Sequence, residues 1–330
     1  MRDENIIVGA TAALMRNYAD LPFDAATNGE TAARVISRTA GALQEAGFAL
    51  RLLREMNADQ RQTLHEQGRL PRDQRAAAVL LPLEGSASVA LAGTEHVTIL
   101  SRRPGNALAE AVADCLTVED CLSRRVSFAF DEQLGYQQAQ PEALGTGLQA
   151  ALVLHVPLLL RQNRLRDVMG ELEAQGLRVS FTGMQGLRPR GELLTVGNRC
   201  SLGRTEQEIC QQVLQGAEKL IRLETGLRQQ EAEPSLKLAD RISRAHGVAK
   251  HARLLGDVEF WFIWSDLRLG AQLELLPLTV EQVDALLPEM MDGHLRSYAE
   301  EHLEGEALDE CRSARVRELL YDIPLDNAEA

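Results

Sequence analysis

The sequence predicts an α+β protein, a largely antiparallel sheet flanked by helices and followed by a helical C-terminal domain. Three features carry that expectation. The stretch AVLLPLEGSASVALAGTEHVTIL, from Ala78 to Leu100, alternates apolar and small polar residues around Glu84-Gly85 and Ala92-Gly93, as short antiparallel strands joined by tight turns do. Apolar residues at helical spacing flank it on both sides. A polar linker, RQQEAEPSLK from Arg228 to Lys237, then precedes a charged, helix-patterned run that continues to Leu320. These features divide the chain into a domain over 1–230, helical to about residue 75, and a helical domain over 238–330.

Asn28 is a plausible N-cap with Glu30 in the first turn, and Ala32, Val35, Ile36, Ala40 and Leu43 form one apolar helix face that Gly47 ends. Leu52 to Gly68 reads as a second helix and, after the meander, Ala107 to Cys121 as a third. Val126, Phe128 and Phe130 alternate as a strand. The glycine-flanked turn Gly145-Thr146-Gly147 reads as the start of an apolar helix reaching Leu160. A turn of that kind suits an anion, yet the 25 residues from Gly135 to Leu159 hold no Lys or Arg. Leu165 to Ala174 reads as a helix ended by Gly176, LRVSFTGM and GELLTVGNR as two strands, and Thr205 with Glu208 as a capping box opening a helix to about Leu227. Trp261, Phe262 and Trp264 cluster in a chain with 4% aromatics, which suits a domain core or an oligomer interface.

Composition narrows the function. The 330 residues carry a formal charge of −13, against the basic surplus that a general nucleic-acid or anionic-membrane binder needs. No apolar run approaches the ~18 residues of a membrane span, and the N-terminus lacks a signal-peptide pattern, so a cytoplasmic location is expected. Five cysteines without C-x-x-C spacing imply reduced thiols, with neither a disulfide framework nor a zinc ribbon, and no metal site is expected. His96, beside Glu95, and His155, on an apolar helix end, lack local partners for metal or acid–base work and read as structural.

Several segments taken together, MRNYADLPF, TEHVTI, FAFDEQLGY, PEALGTGL, LHVP, GNRCSLGRTEQEI, DRISRAHGVAKHAR and SDLRLG, resemble the ATP:guanido phosphotransferases, most closely the bacterial protein arginine kinases. The resemblance covers nearly the whole chain in family order. It implies a phosphagen-kinase-like fold for 1–230 and phosphoryl transfer between ATP and a guanidinium, in which arginines grip the phosphates, a carboxylate orients the guanidinium and magnesium bridges phosphate oxygens.

The chemical positions depart from that pattern. Where the family has S-S-R-x-R-L-A-R-N, this chain reads Gly9 to Asn17, with Thr11 and Ala13 at two phosphate arginines but Arg16 and Asn17 kept. The N-E-E-D-H-x-R segment reads Ala92 to Thr98, which removes the catalytic carboxylate and a third arginine while keeping Glu95 and His96. C-P-T-N-x-G-T-G-L-R reads Gln140 to Gln149, so Gln140 replaces the active-site cysteine and Gln149 a fourth arginine, while Gly145, Thr146 and Gly147 persist. R-G-x-x-G-E reads Ser180 to Gln185, which removes the fifth arginine and the substrate-gripping glutamate.

The resemblance therefore implies a vestigial nucleotide cleft around Arg16, Asn17, His96, Gly145, Thr146, Gly147 and Asn198, with no catalytic residue. The late R-D-x-x-R-A motif of protein arginine kinases reads Leu308 to Ser313, keeping Asp309 and Arg312 as a possible phosphoarginine pair, or else an ordinary i, i+3 ion pair. A degenerate relative acting as a regulatory or structural subunit is the first expectation, with no cofactor and with a protein partner or a homo- or hetero-oligomer such as a dimer. An active kinase is the alternative and would require Mg-ATP and rescue by Arg102, Arg103, Arg188 or Arg190. A phosphoarginine-binding adaptor is the third.

Overall fold

In the computed structural model, residues 3–321 are described except positions 72, 74, 86, 163, 186, 187, 232 and 301. The first strand, β1 (Ile7–Arg16), lies mid-sheet, so the part of the chain before residue 75 is not simply helical. Its middle, Gly9 to Ala13, consists of small residues, so no period-2 alternation of large apolar side chains marks it. Helix α1 (Gly29–Leu43) begins where expected, with Asn28 Oδ1 accepting from the Glu30 and Thr31 amides. The helix expected over 52–68 is instead the strand β2 (Phe48–Leu52), a short 3-10 turn, and α2 (Ala58–Glu66) with its own Asn57–Gln60 capping box.

The meander forms as read: β3 (Ala78–Pro82), β4 (Ser88–Leu91) and β5 (Val97–Pro104) pair consecutively. Helix α3 (Leu108–Ser123) crosses behind β1 and β5. Of the strand expected over 126–130, only β6 (Phe130–Asp131) forms, paired with β7 (Gly135–Tyr136), while Phe128 bridges to Tyr18.

The main departure follows. Residues after Gly147, expected to be helical, form the strand β8 (Leu148–His155), and only α4 (Pro157–Arg161) is helix. β8 lies between β1 and β12 (Leu193–Asn198), flanked on both edges, and such a strand reads as an unbroken apolar run. Between them come α5 (Leu165–Ala174), β9 (Leu177–Phe181) and a small ladder of β10 (Met184–Gln185) with β11 (Arg188–Pro189). Helix α6 (Glu206–Gln230) opens on the Thr205–Glu208 capping box and runs into the first residues of the expected linker.

The main sheet has the order β2-β3-β4-β5-β1-β8-β12-β9, and every ladder in it is antiparallel. Ala10, Ala12, Leu14, Ala150, Leu152 and Leu154 are buried on one face, which α3 and α6 cover. Thr11, Ala13, Gln149, Ala151 and Val153 alternate onto the other face, which opens into a cleft.

The C-terminal run folds as α7 (Leu236–His251), α8 (Asp257–Gln272), α9 (Val280–Glu289), α10 (Asp292–Ala299) and α11 (Gly305–Leu319). Its apolar core is continuous with that of the sheet region, and Trp261 and Trp264 are buried within it. Polar ties join the two regions as well. Arg161 forms a fork with Glu192 at 3.0 and 2.6 Å and reaches Asp266 on α8 at 2.7 Å, while Ser265 donates to Glu192 at 2.6 Å.

Candidate functional site

The cleft on the open sheet face has a volume of about 600 Å³. Its floor comes from β5, β1, β8, β12 and β9, and one wall from the segment following α2. The five positions at which the resemblance implies arginine, Thr11, Ala13, Thr98, Gln149 and Ser180, all line it, although they are scattered over 170 residues of sequence. Register explains the convergence: Ala13 pairs with Gln149 across β1 and β8, Met15 with Thr98 across β1 and β5, and Ser180 with Thr195 across β9 and β12. Gln140, Gly93 and Thr94, at the lost cysteine and carboxylate positions, border the same space.

Charge in the cleft is balanced. Among the described lining residues, Arg102 and Arg178 are cationic and Asp73 and Glu95 anionic, and burial pushes the His65 imidazole below its usual range, towards the neutral form. Of the arginines considered as replacements, Arg102 lines the cleft and donates to the Glu66 carbonyl at 3.1 Å. Arg103 is held by a two-pronged pair with Asp114 at 2.8 and 2.7 Å, and Arg190 by Asp257 at 2.6 Å. The Arg188 side chain falls outside what the structure describes, as does that of Gln185. Arg178 is the residue that sequence reasoning missed. The signal available was its position two residues before Ser180 on the same strand, which puts both on one face.

Among the seven positions read as a vestigial cleft, Asn198 lines the space, with its amide spent on the backbone: Oδ1 accepts from Ala150 at 2.7 Å and Nδ2 donates to Leu148 at 2.9 Å. Arg16, Asn17, His96 and Gly147 form a buried layer next to it, with Gly145 and Thr146 half-buried. Arg16, 1% exposed, donates to Glu119 at 2.5 Å and to the Met15 and Thr146 carbonyls, and stacks on the Tyr136 ring at 3.5 Å. It braces the fold from behind the sheet's open face. Asn17 donates to Glu95 and accepts from the His96 amide at 2.8 Å. Glu95 in turn accepts from the amides of Ala139 at 2.9 Å and Gln140 at 3.0 Å, so this surviving carboxylate holds the 139–140 segment in place.

His96 Nδ1 accepts from the Tyr18 amide at 3.0 Å while Nε2 donates to the Pro22 carbonyl at 2.9 Å, which defines a neutral tautomer, and burial pushes its pKa down. His155 has the same logic and no exposure: Ser265 donates to Glu192 and therefore accepts from Nε2 at 2.8 Å, and Arg268 approaches Nδ1 at 3.4 Å.

The Gly145-Thr146-Gly147 turn, read as the shape of an anion site without its charge, is packed by protein. A side chain at Gly145 would meet Leu202 and Ser201 at 2.7 Å, and one at Gly147 would meet Gln138 and Met15 at 2.7 Å. Both residues have positive φ, 101° and 68°. The glycines allow close backbone contact inside the protein, and the Thr146 carbonyl is occupied by Arg16.

Asp309 and Arg312 are brought together far along the chain, on α11, with Nη1 to Oδ1 at 2.9 Å. The same guanidinium donates to the Leu255 carbonyl at 2.8 Å, to the Met290 carbonyl at 3.2 Å and to Asp292. At 1% exposure it ties α11 to the segment before α8, the end of α9 and the start of α10, with its nitrogens occupied.

The described residues contain no group of three His, Cys, Asp or Glu side chains that could hold a metal, and no helix long and apolar enough to cross a membrane. Comparison with known proteins identifies the scaffold. The family description "ATP:guanido phosphotransferase, C-terminal catalytic domain" matches residues 31–227, and "Protein-arginine kinase McsB C-terminal domain" matches 235–330. The chain is 31% identical to a protein-arginine kinase of Moorella thermoacetica over 96% of this chain and 94% of that one. It is 30% identical to one of Symbiobacterium thermophilum over 95% and 92%. Among solved structures, a lombricine kinase superposes with a TM-score of 0.60 at 18% identity, covering 70% of this chain and 69% of that one. At that identity the superposition speaks for fold alone, but with the sequence matches, the chain belongs to the ATP:guanido phosphotransferase family.

Proposed function

We propose that this chain is a catalytically silent member of its family, a cytoplasmic regulatory or structural subunit that acts by binding a protein partner, either a second copy, an active relative or a protein-quality-control component. One observation carries the reading: Thr11, Ala13, Thr98, Gln149 and Ser180 share one cleft, and none is charged. A charge-assisted hydrogen bond contributes about 1.5–3 kcal/mol and a neutral one about half as much. A single arginine acting on a phosphoryl transition state is worth about 10³–10⁵ in rate in other enzymes. Loss of five such positions removes the grip on phosphate, and Gly93 and Thr94 offer no carboxylate where the family's base is expected.

A second reading, an active Mg-ATP-dependent protein arginine kinase, is favoured by one observation, the presence of Arg102 and Arg178 at the cleft. Their charge is offset by Asp73 and Glu95. No comparable observation favours the phosphoarginine adaptor, because Arg312 is buried and engaged by four protein acceptors. Incubation of the purified chain with γ-labelled Mg-ATP and an arginine-rich acceptor protein tests the proposal. The expected result is acid-labile label no higher than in a protein-free control. Label transfer that copurifies with the chain and disappears on Arg178→Ala would establish the second reading instead.

A further inference from the structure

The cleft holds an excess of hydrogen-bonding capacity that the protein leaves unused. Thr98, Gln140, Gln149 and Ser180 are half-buried, and their side chains make no hydrogen bond among the described residues. Neighbouring polar groups are already engaged: Thr94 donates to Asp73 at 2.7 Å, Ser101 to Asp114 at 2.7 Å, and Thr182 pairs with Thr195 at 3.0 Å. The open groups are two hydroxyls and two carboxamides, each able both to donate and to accept. Ala13, Ala151, Val153, Leu70 and Leu100 supply apolar floor between them.

We infer that the cleft is a binding site for an uncharged small molecule bearing several hydroxyl or amide groups, of the size of a mono- or disaccharide. This rests on the reading that the cleft has lost its phosphate grip. Half-buried hydroxyls and amides prefer a partner that matches both donors and acceptors, and a ligand that fills an apolar-floored pocket while satisfying them gains in both respects. An anionic ligand meets a described lining with no net charge, and its desolvation is uncompensated. The volume of about 600 Å³ lies within the range of about 300–1,000 Å³ usual for small-ligand sites.

Methyl-detected NMR on the full chain tests this directly, because Thr11, Ala13, Thr98, Ala151 and Val153 place methyl reporters around the cleft. The probes are N-acetylglucosamine, with hydroxyls and an amide, and N-acetylglucosamine 6-phosphate, the same ring with a charge. The neutral sugar is expected to shift these methyls saturably, and the phosphate to bind about tenfold more weakly, a difference of about 1.4 kcal/mol. Gln149→Leu with Ser180→Ala is expected to abolish the response while leaving methyls elsewhere unmoved, and Gln149→Arg to reverse the preference.

No saturable response to the neutral sugar overturns the inference but leaves the silent-subunit reading intact. Tighter binding of the phosphate to the unmodified chain overturns both. A response to the neutral sugar that survives the double substitution also overturns the assignment to this cleft.

Discussion

His155 and His96 show what burial does to a single residue here. Both are locked as neutral rings by a donor on one nitrogen and an acceptor on the other, and desolvation holds both pKa values below the ordinary value, His155 well below it. The unfolded-state pKa is about 6.5, so the stability these rings contribute is complete above that pH and drains as pH falls towards the lower folded values. A urea midpoint that is flat from pH 7 to 8 and falls below about 6.5 is expected. His155→Gln should flatten part of that fall even though it lowers stability at pH 7. An acid limb unchanged in the variant would remove His155 from this account. The satisfied structural histidines were legible in sequence because neither had a ligand-like neighbour. The roles of Arg16 and Asn17 were not, since their partners Glu119 and Glu95 lie 103 and 78 residues away and only the fold brings them together.

At the scale of elements, helices α2 and α10 couple one wall of the cleft to the helical region. Helix α10 has no side chain of its own at its N-cap, and the Gly293 amide instead donates to both oxygens of Glu66 on α2, at 3.1 and 3.0 Å. A side chain at position 293 would meet Thr63 at 2.7 Å, so glycine sets the closeness of the two helices. Arg296 on α10 adds bonds to Asp59 at 3.2 Å and Gln62 at 2.9 Å.

Glu66→Ala is therefore expected to cost about 1–2 kcal/mol, the scale of a lost cap. Amide exchange should rise in α10 and α2 while β1 and β8 stay protected, with Glu66→Gln intermediate. Uniform exchange across the molecule would contradict the local coupling. At this scale the helices were the most readable elements, since Asn28 and Thr205 mark their own starts. β8 was misread for a physical reason: Ala150, Leu152 and Leu154 face the core while Ala151 and Val153 floor the cleft, so neither face gives the polar half of an alternation.

For the whole molecule, the contrast is between a retained scaffold and an altered site. The eight-stranded antiparallel sheet, the capped helices and the buried Arg16–Glu119 and Arg161–Glu192 ties are all in place. The cleft that the scaffold frames combines an apolar floor with scattered polar groups and carries no net charge among its described lining. The fold class and the family were both legible from motif order, because glycines, caps and apolar periods persist where chemistry has changed. Arg178 was the exception: its spacing from Ser180 puts both on one strand face, but which cavity that face borders is set only by the fold.

A cleft without a phosphate grip should not hold nucleotide, and titration calorimetry of the purified chain with Mg-ATP measures this without depending on catalysis. Heats no larger than dilution are expected up to millimolar nucleotide, at low as well as physiological salt. A saturable isotherm that weakens on Arg102→Ala or Arg178→Ala would contradict it, because those two side chains would then be supplying the grip that the five emptied positions lack.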